Sequence, residues 1–208
     1  MATQFITETK RTHTCGQLTG ADVDKDVVLF GWVHNFRDHG GAVFIDLRDR
    51  EGLTQVVFQP DAKEAHALAS MVRSEWCIGI RGKVLSRGKN VNPNMKTGEI
   101  EVRGSELTVF NKSETPPFEL TDNVGTAEAK RLQYRYLDLR RSPLQKSLIT
   151  RSKMNALTRA YLVEKGFLEL ETPFMGKYTP GGARNFLVPS RLNPGKFYAL
   201  AESPQLYK

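Results

Sequence analysis

Cysteine is scarce in this sequence: Cys15 and Cys77 are the only two among 208 residues, with no CxxC pair and no His/Cys cluster beside them. That spacing argues against a disulfide framework and against a structural zinc site, and fits a reducing compartment. Long apolar runs are missing as well. None reaches the ~18 residues of a membrane-crossing helix, and the N-terminus mixes Thr, Lys, Glu and Arg without the apolar core of a secretory signal. The expectation is a soluble, cytoplasmic protein with no membrane partner. Internal repeats and low-complexity tracts are absent, which leaves ordinary globular domains. What is there suits one or two of them, because 39% of the residues are hydrophobic, enough for a real core. Lysine and arginine number 30 against 23 acidic residues, a formal charge of +7. Such a surface favours an anionic partner but says nothing about fold.

The character of the chain changes near Thr115-Pro116-Pro117, where β-like patterning gives way to helix-like patterning. Upstream, Val27 to Phe36, Ala42 to Arg48 and Leu53 to Gln59 read as strands, the last two joined by the Asp49-Arg-Glu-Gly52 turn. Pro60-Asp61 opens a helix to about Ser74, and strands over Trp76 to Leu85 and Glu99 to Phe110 flank a loop rich in Gly, Asn and Pro. The order βββαββ is that of an OB-fold, which binds nucleic acid on the face of strands 2 and 3 and with the loops joining strands 1-2 and 4-5. The first of those loops, His34 to Gly41, carries Arg37. The second, Ser86 to Gly98, carries Arg87, Lys89, Asn92 and Lys96. In strand 2, Val43, Ile45 and Leu47 form an apolar face, so Phe44, Asp46 and Arg48 point the other way. An outward Phe44 between two basic loops is a stacking platform for an unpaired base, and Gln55 on the neighbouring strand can read a base edge. Packing of Phe44 beneath a loop or against a second domain is the competing reading.

Beyond the double proline, Thr126 is a candidate N-cap and Leu132, Tyr136 and Leu139 form a short helical stripe beside Arg131, Arg135, Arg140 and Arg141. These arginines could meet an RNA backbone or pair with acids of a following domain. Ser142-Pro143 then starts a long helix in which Ile149, Ala156, Ala160, Val163 and Phe167 recur at helical spacing. Gly166 can end it in the left-handed conformation, and the alternation from Phe167 to Glu171 predicts an extended segment stopped by Pro173. Gly181, Gly182 and Pro180 supply turn residues for a moving loop, and a last strand carries Ser203 and Gln205 on one face, with Lys208 needing a bend or the start of a helix.

Several of these stretches resemble bacterial-type aspartyl-tRNA synthetases of class II, subclass b. Leu29-Phe-Gly-Trp-Val33, Phe44-Ile-Asp-Leu-Arg-Asp-Arg-Glu-Gly52 and Gln55-Val-Val-Phe58 follow the family's anticodon-binding OB-fold. Arg135-Tyr-Leu-Asp-Leu-Arg-Arg141 follows its linker, Gly166 to Met175 its motif 1, and Thr179 to Ser190 with Phe197 to Lys208 its lid and first substrate strand. The resemblance implies an α+β chain in three parts: an OB-fold barrel over residues 1–115, a helical hinge over 116–142, and the start of an antiparallel-sheet catalytic domain over 143–208. It implies aspartate–tRNA ligase activity with ATP and Mg²⁺ in a homodimer, acting on L-aspartate and tRNA-Asp, with tRNA-Asn left open. On it, Arg37, Phe44, Gln55, Arg87, Lys89 and Asn92 meet the anticodon, and Pro173 lies at the dimer interface. Thr179, Gly181, Gly182 and Arg184 belong to the lid, while Ser203, Gln205 and Lys208 take the aspartyl group.

Some positions depart from the family pattern. Asn35-Phe36 stand where many members carry basic residues, and Gly181 and Asn185 replace two acidic residues of the lid. Motifs 2 and 3, which hold ATP and Mg²⁺ in the family, are not in this sequence. The expectation is therefore an N-terminal fragment without catalytic residues or a metal site, able to bind tRNA, its last third poorly ordered or aggregation-prone. The rival is a free-standing OB-fold RNA-binding protein descended from a synthetase. An asparagine or lysine enzyme of the same subclass is a third reading, disfavoured by the lid pattern and Ser203-Pro-Gln-Leu-Tyr-Lys208.

Overall fold

Strict alternation builds the first half of the chain. In the computed structural model, which describes residues 8–178 and 184–207, the residues gather into two compact units, Met1–Ser142 and Pro143–Lys208. In the first, strands β1 (Asp26–His39), β2 (Ala42–Arg48), β3 (Leu53–Phe58), β4 (Cys77–Ser86) and β5 (Ile100–Asn111), with helix α1 (Lys63–Met71) between β3 and β4, close into a barrel. The order around it is β1-β2-β3-β5-β4. A short parallel pairing, Val56 with Val102 and Val57 with Arg103, joins β3 to β5, while the other neighbours run antiparallel. Alternate residues Val27, Leu29, Val33, Val43, Ile45, Leu47, Val56, Phe58, Ile78, Ile80, Ile100 and Val102 fill the interior, and Ala65 and Ala69 of α1 join the same core. Each such aliphatic side chain contributes about 1.5–3 kcal/mol by leaving water.

Two places in the barrel depend on glycine. Gly40 and Gly41, with φ of +63° and +90°, form a two-residue turn of the kind whose twist matches a hairpin. This turn carries β1 on to His39, opposite Ala42, so Arg37 lies in a strand rather than in the loop expected from the sequence. Gly104 lets β5 pass over Phe58, since a Cβ there would stand 2.3 Å from the ring. A bulge between Val33 and Asn35 shifts the register by one residue. Phe36 thereby packs against the core, and Asn35 and Arg37 join the outer face.

Helix α1 is shorter than expected. Residues 60–62 form a turn before it, and Val72, with extended backbone at ψ 155°, ends it. Glu75 follows at φ +64°, a left-handed conformation that only surrounding contacts hold for a residue with a Cβ.

After the barrel, α2 (Glu128–Gln133) and α3 (Arg135–Asp138) are separate turns broken at Tyr134. The predicted stripe is rotated. Leu132 and Tyr136 are 56% and 65% exposed, whereas Leu137 is buried with Phe118 and Leu120 against Val124 and Tyr134. Thr126 makes no side-chain cap; its carbonyl accepts from Arg131 Nε instead.

The second unit opens with α4 (Ser142–Glu164), ended by Gly166 at φ +84°. The helix is less amphipathic than its apolar spacing suggests, because Lys146 and Lys153 fall at helical intervals on the same face as Ile149, Ala156 and Ala160. Residues 167–173 do not pair as the expected strand. Among the described residues the sheet is β6 (Met175–Gly176), β8 (Phe197–Leu200) and β7 (Leu187–Pro189), with β8 central. A strand needs a neighbour for its backbone groups, and no described strand pairs with 167–173. Leu168, Leu170, Phe174, Phe186 and Leu192 are each more than 70% exposed.

Candidate nucleic-acid interface

The outer face of β1, β2, β3 and β5 is an ordered set of cross-strand rows. One runs Arg37, Phe44, Val57, Arg103, each paired to the next. It places an aromatic ring with one guanidinium to one side and another beyond Val57 on the other. Phe44 is half-buried and meets the His39 ring edge-on at 5.8 Å. Arg37 Nη2 donates to Asp46 at 3.0 Å, Asn35 Nδ2 donates to the same carboxylate at 3.2 Å, and Arg103 is ion-paired to Asp61. Both arginines are therefore oriented by carboxylates while remaining about half exposed.

The next row is closed to solvent. Asp46 pairs with Gln55, and Gln55 Nε2 donates to Glu101 Oε2 at 2.9 Å. Gln55 is 5% exposed, so the amide expected to read a base is held by an acid from β5. Arg87 Nε lies 4.0 Å from the same carboxylate, yet Nε and Nη1 are buried without a hydrogen-bond partner. Such unmet donors cost about 1–3 kcal/mol each. In the β4–β5 loop Lys89 is exposed, and Asn92 Oδ1 accepts from the Asn94 backbone at 3.1 Å, shaping the turn. Beside Val57, a groove of about 300 Å³ is lined by Pro60, Leu85, Asp61, Glu101 and Arg103.

Strand alternation put Phe44, Asp46 and Arg48 on one side, but only Phe44 is available there. Arg48 is drawn into a buried cluster: Nη1 and Nη2 reach the two oxygens of Glu75 at 2.7 and 2.8 Å, and Nη1 lies 3.1 Å from His34 Nδ1. Burial, then the Arg48 charge, lowers the His34 pKa below its ordinary value. Arg140 joins from the linker, donating to Glu75 at 2.9 Å while its guanidinium lies 4.9 Å over the Trp32 ring.

The other linker arginines are spent locally. Asp138, fully buried, accepts from Arg135 at 2.6 Å and Arg141 at 2.8 Å, with Arg131 at 3.5 Å. Burial by itself raises the Asp138 pKa, but the Arg141 hydrogen bond and the three cationic charges outweigh it, and the net shift is downward. Among the described residues their acids thus come from the barrel and the linker itself. Glu75, Glu101, Asp61 and Arg103 were not singled out from the sequence because their partners lie 27 to 65 residues away along the chain.

In the second unit, β8 ends at Leu200 and a 3₁₀ turn, Pro204–Tyr207, begins after three intervening residues. Ser203 Oγ accepts the Gln205 backbone N–H at 3.3 Å, so the two do not share a strand face as expected. Pro173 and Arg184 are exposed, whereas Thr179, Gly181, Gly182 and Lys208 lie outside the described residues. Among the described residues, no three His, Cys, Asp or Glu side chains gather where a metal could sit. Nor, among them, is any helix long and apolar enough to cross a membrane.

Comparison with known proteins addresses both units. Residues 27–110 match the OB-fold nucleic acid binding domain, and residues 127–208 match the class II tRNA synthetases of the D, K and N group. The Aspartate–tRNA(Asp/Asn) ligase of Anaeromyxobacter dehalogenans strain 2CP-1 is 71% identical over 206 residues, 99% of this chain and 34% of that protein. That of Geotalea uraniireducens is 58% identical over 206 residues, 98% of this chain and 35% of that protein. The chain thus spans about a third of the length of these relatives. Asparaginyl-tRNA synthetase from Pyrococcus horikoshii, complexed with asparaginyl-adenylate, shares the fold with a TM-score of 0.80 at 22% identity, covering 96% of this chain and 44% of that one. Aspartyl tRNA synthetase from Entamoeba histolytica does so with a TM-score of 0.74 at 21% identity, covering 82% and 40%. With an OB-fold match and a class II synthetase match side by side, the chain is similar over nearly its whole length to about a third of an aspartate–tRNA(Asp/Asn) ligase.

Proposed function

We propose that the barrel binds the anticodon loop of tRNA-Asp, and of tRNA-Asn as the relatives' names suggest, as part of a longer aspartate–tRNA ligase. The observation that carries this reading is the outer row, in which Phe44 offers a ring for a base and Arg37 offers charge for the backbone beside it. Arg87, whose Nε and Nη1 are buried beside Glu101, would have to turn outward to meet the RNA. Gln55, buried with its amide nitrogen held by Glu101, would read a base edge only once that pair opens. Lys89 and Asn92 would follow the strand along the β4–β5 loop.

The proposed division is residues 1–115 for anticodon binding, 116–142 as linker and 143–208 as the opening of the catalytic domain. In the longer protein, Ser203, Gln205 and Lys208 would receive L-aspartate and Pro173 would lie at a homodimer contact. The lid would be formed by Thr179, Gly181, Gly182 and Arg184. ATP and Mg²⁺ would be held by parts of the ligase beyond these residues. The exposed Leu168, Leu170 and Phe174 favour this reading over a free-standing binding module, because so much apolar surface asks for further cover.

The test is equilibrium binding of the 208-residue protein to an aspartate anticodon stem-loop and to one with a changed anticodon. Phe44→Ala is expected to cost about 1–3 kcal/mol with the matched loop. Equal binding of both loops with a steep salt slope would reduce the barrel to a general basic surface.

A further inference from the structure

The outer row does not stop at Phe44. Across Val57 it ends on Arg103, whose guanidinium is paired to Asp61 at the rim of the groove formed with Pro60, Leu85 and Glu101. Arg103 and Phe44 stand two inter-strand spacings apart, about 10 Å. That is on the scale separating a stacked base from the backbone of a neighbouring nucleotide in a single strand. The pair with Asp61 occupies one edge of the guanidinium fork, and the Arg103 side chain remains 50% exposed, leaving N–H donors for an anion. The groove wall is apolar at Val57, Pro60 and Leu85, which suits a ribose and base, and charged at Arg103, Asp61 and Glu101, where the half-exposed guanidinium is the one group able to receive a phosphate.

We infer that Arg103 is a backbone-positioning residue of the RNA site, holding the phosphodiester of a nucleotide that flanks the base on Phe44 and lies in this groove. The inference rests on the RNA-binding reading of the face. It extends the site onto β5, to a residue not among those expected to touch RNA.

The full 208-residue chain would be titrated with an aspartate anticodon stem-loop over a salt series. A parallel set of stem-loops would have each loop phosphate replaced in turn by an uncharged methylphosphonate. Arg103→Gln is expected to weaken binding about fivefold and to lower the salt slope by about 0.7, the share of one single-strand phosphate. One methylphosphonate substitution should lose its effect in that variant, while Arg103→Lys keeps the slope. Unchanged slope in Arg103→Gln, or additive effects at every linkage, would overturn the assignment. Phe44→Ala separates the two ideas: loss of binding there with an inert Arg103→Gln defeats only this inference, whereas an inert Phe44→Ala defeats the reading of the face itself. A thermal melt of each variant identifies any loss caused by unfolding.

Discussion

Removing the Glu75 carboxylate tests how the linker is fastened to the barrel. Glu75, its side chain 3% exposed, takes both nitrogens of Arg48, whose side chain is 11% exposed. It also takes Arg140, which is 34% exposed. Glu75→Ala would strand the buried Arg48 charge, a loss of about 3–5 kcal/mol, and free Arg140, which at that exposure adds no more than about 1 kcal/mol. The backbone need not change, since the Glu75 N–H donates to the Val33 carbonyl at 2.8 Å whatever the side chain. Both tryptophans, Trp32 and Trp76, lie in the first unit, so urea unfolding followed by tryptophan fluorescence reports that unit alone. The expected result is a lower midpoint at unchanged m, equivalent to about 4 kcal/mol. Arg140→Ala should cost only about 1–2 kcal/mol from the partly exposed pair and the stacking on Trp32. A Glu75→Ala loss below about 1 kcal/mol, or one matched by Arg140→Ala, would refute the claim that burial of Arg48 makes this carboxylate essential.

Two further outcomes follow from the same unit. The Asp138 pKa is lowered in the folded state, so its contribution is complete above the ordinary aspartate value near 3.9. The unfolded chain binds the proton more readily, and the contribution is lost as pH falls through the depressed folded value. Acid denaturation of Asp138→Asn, followed by fluorescence, should therefore show a shallower stability decline below about pH 4 than the native protein; parallel declines would contradict this. Gly104→Ala should destabilise by about 1–3 kcal/mol through overpacking against Phe58. Phe58→Leu in the same chain should restore part of the loss, as measured by urea midpoints, and no restoration would place the cause elsewhere.

The barrel strands and their inward residues were legible because each strand carries its own period of two, and Val43, Ile45 and Leu47 point inward as that period requires. The hairpin at Gly40–Gly41 had a local signal as well, a Gly-Gly pair between extended runs, which β1 follows to His39. What the sequence could not show was the state of the outward residues. Asp46 and Arg48 look as available as Phe44 until Arg37 and Glu75 claim them, and the acids that capture Gln55 and Arg140 stand too far along the chain for any local pattern. The segment from Phe167 to Pro173 alternates like a strand, but alternation supplies only a side-chain pattern. Pairing also needs a neighbouring backbone.

Closure of the barrel through Val56–Val102 and Val57–Arg103 sets the terms on which this surface can change over time. A sheet with an open edge can capture a partner through backbone hydrogen bonds, which depend little on side-chain identity and carry a risk of aggregation. Here no edge remains within the barrel, so contact with a partner falls to side chains that stand outside the core. Arg37, Phe44 and Arg103 can be exchanged one at a time without disturbing Ile45 or Val56 beneath them, and preference for one RNA sequence over another can drift while the fold stays fixed.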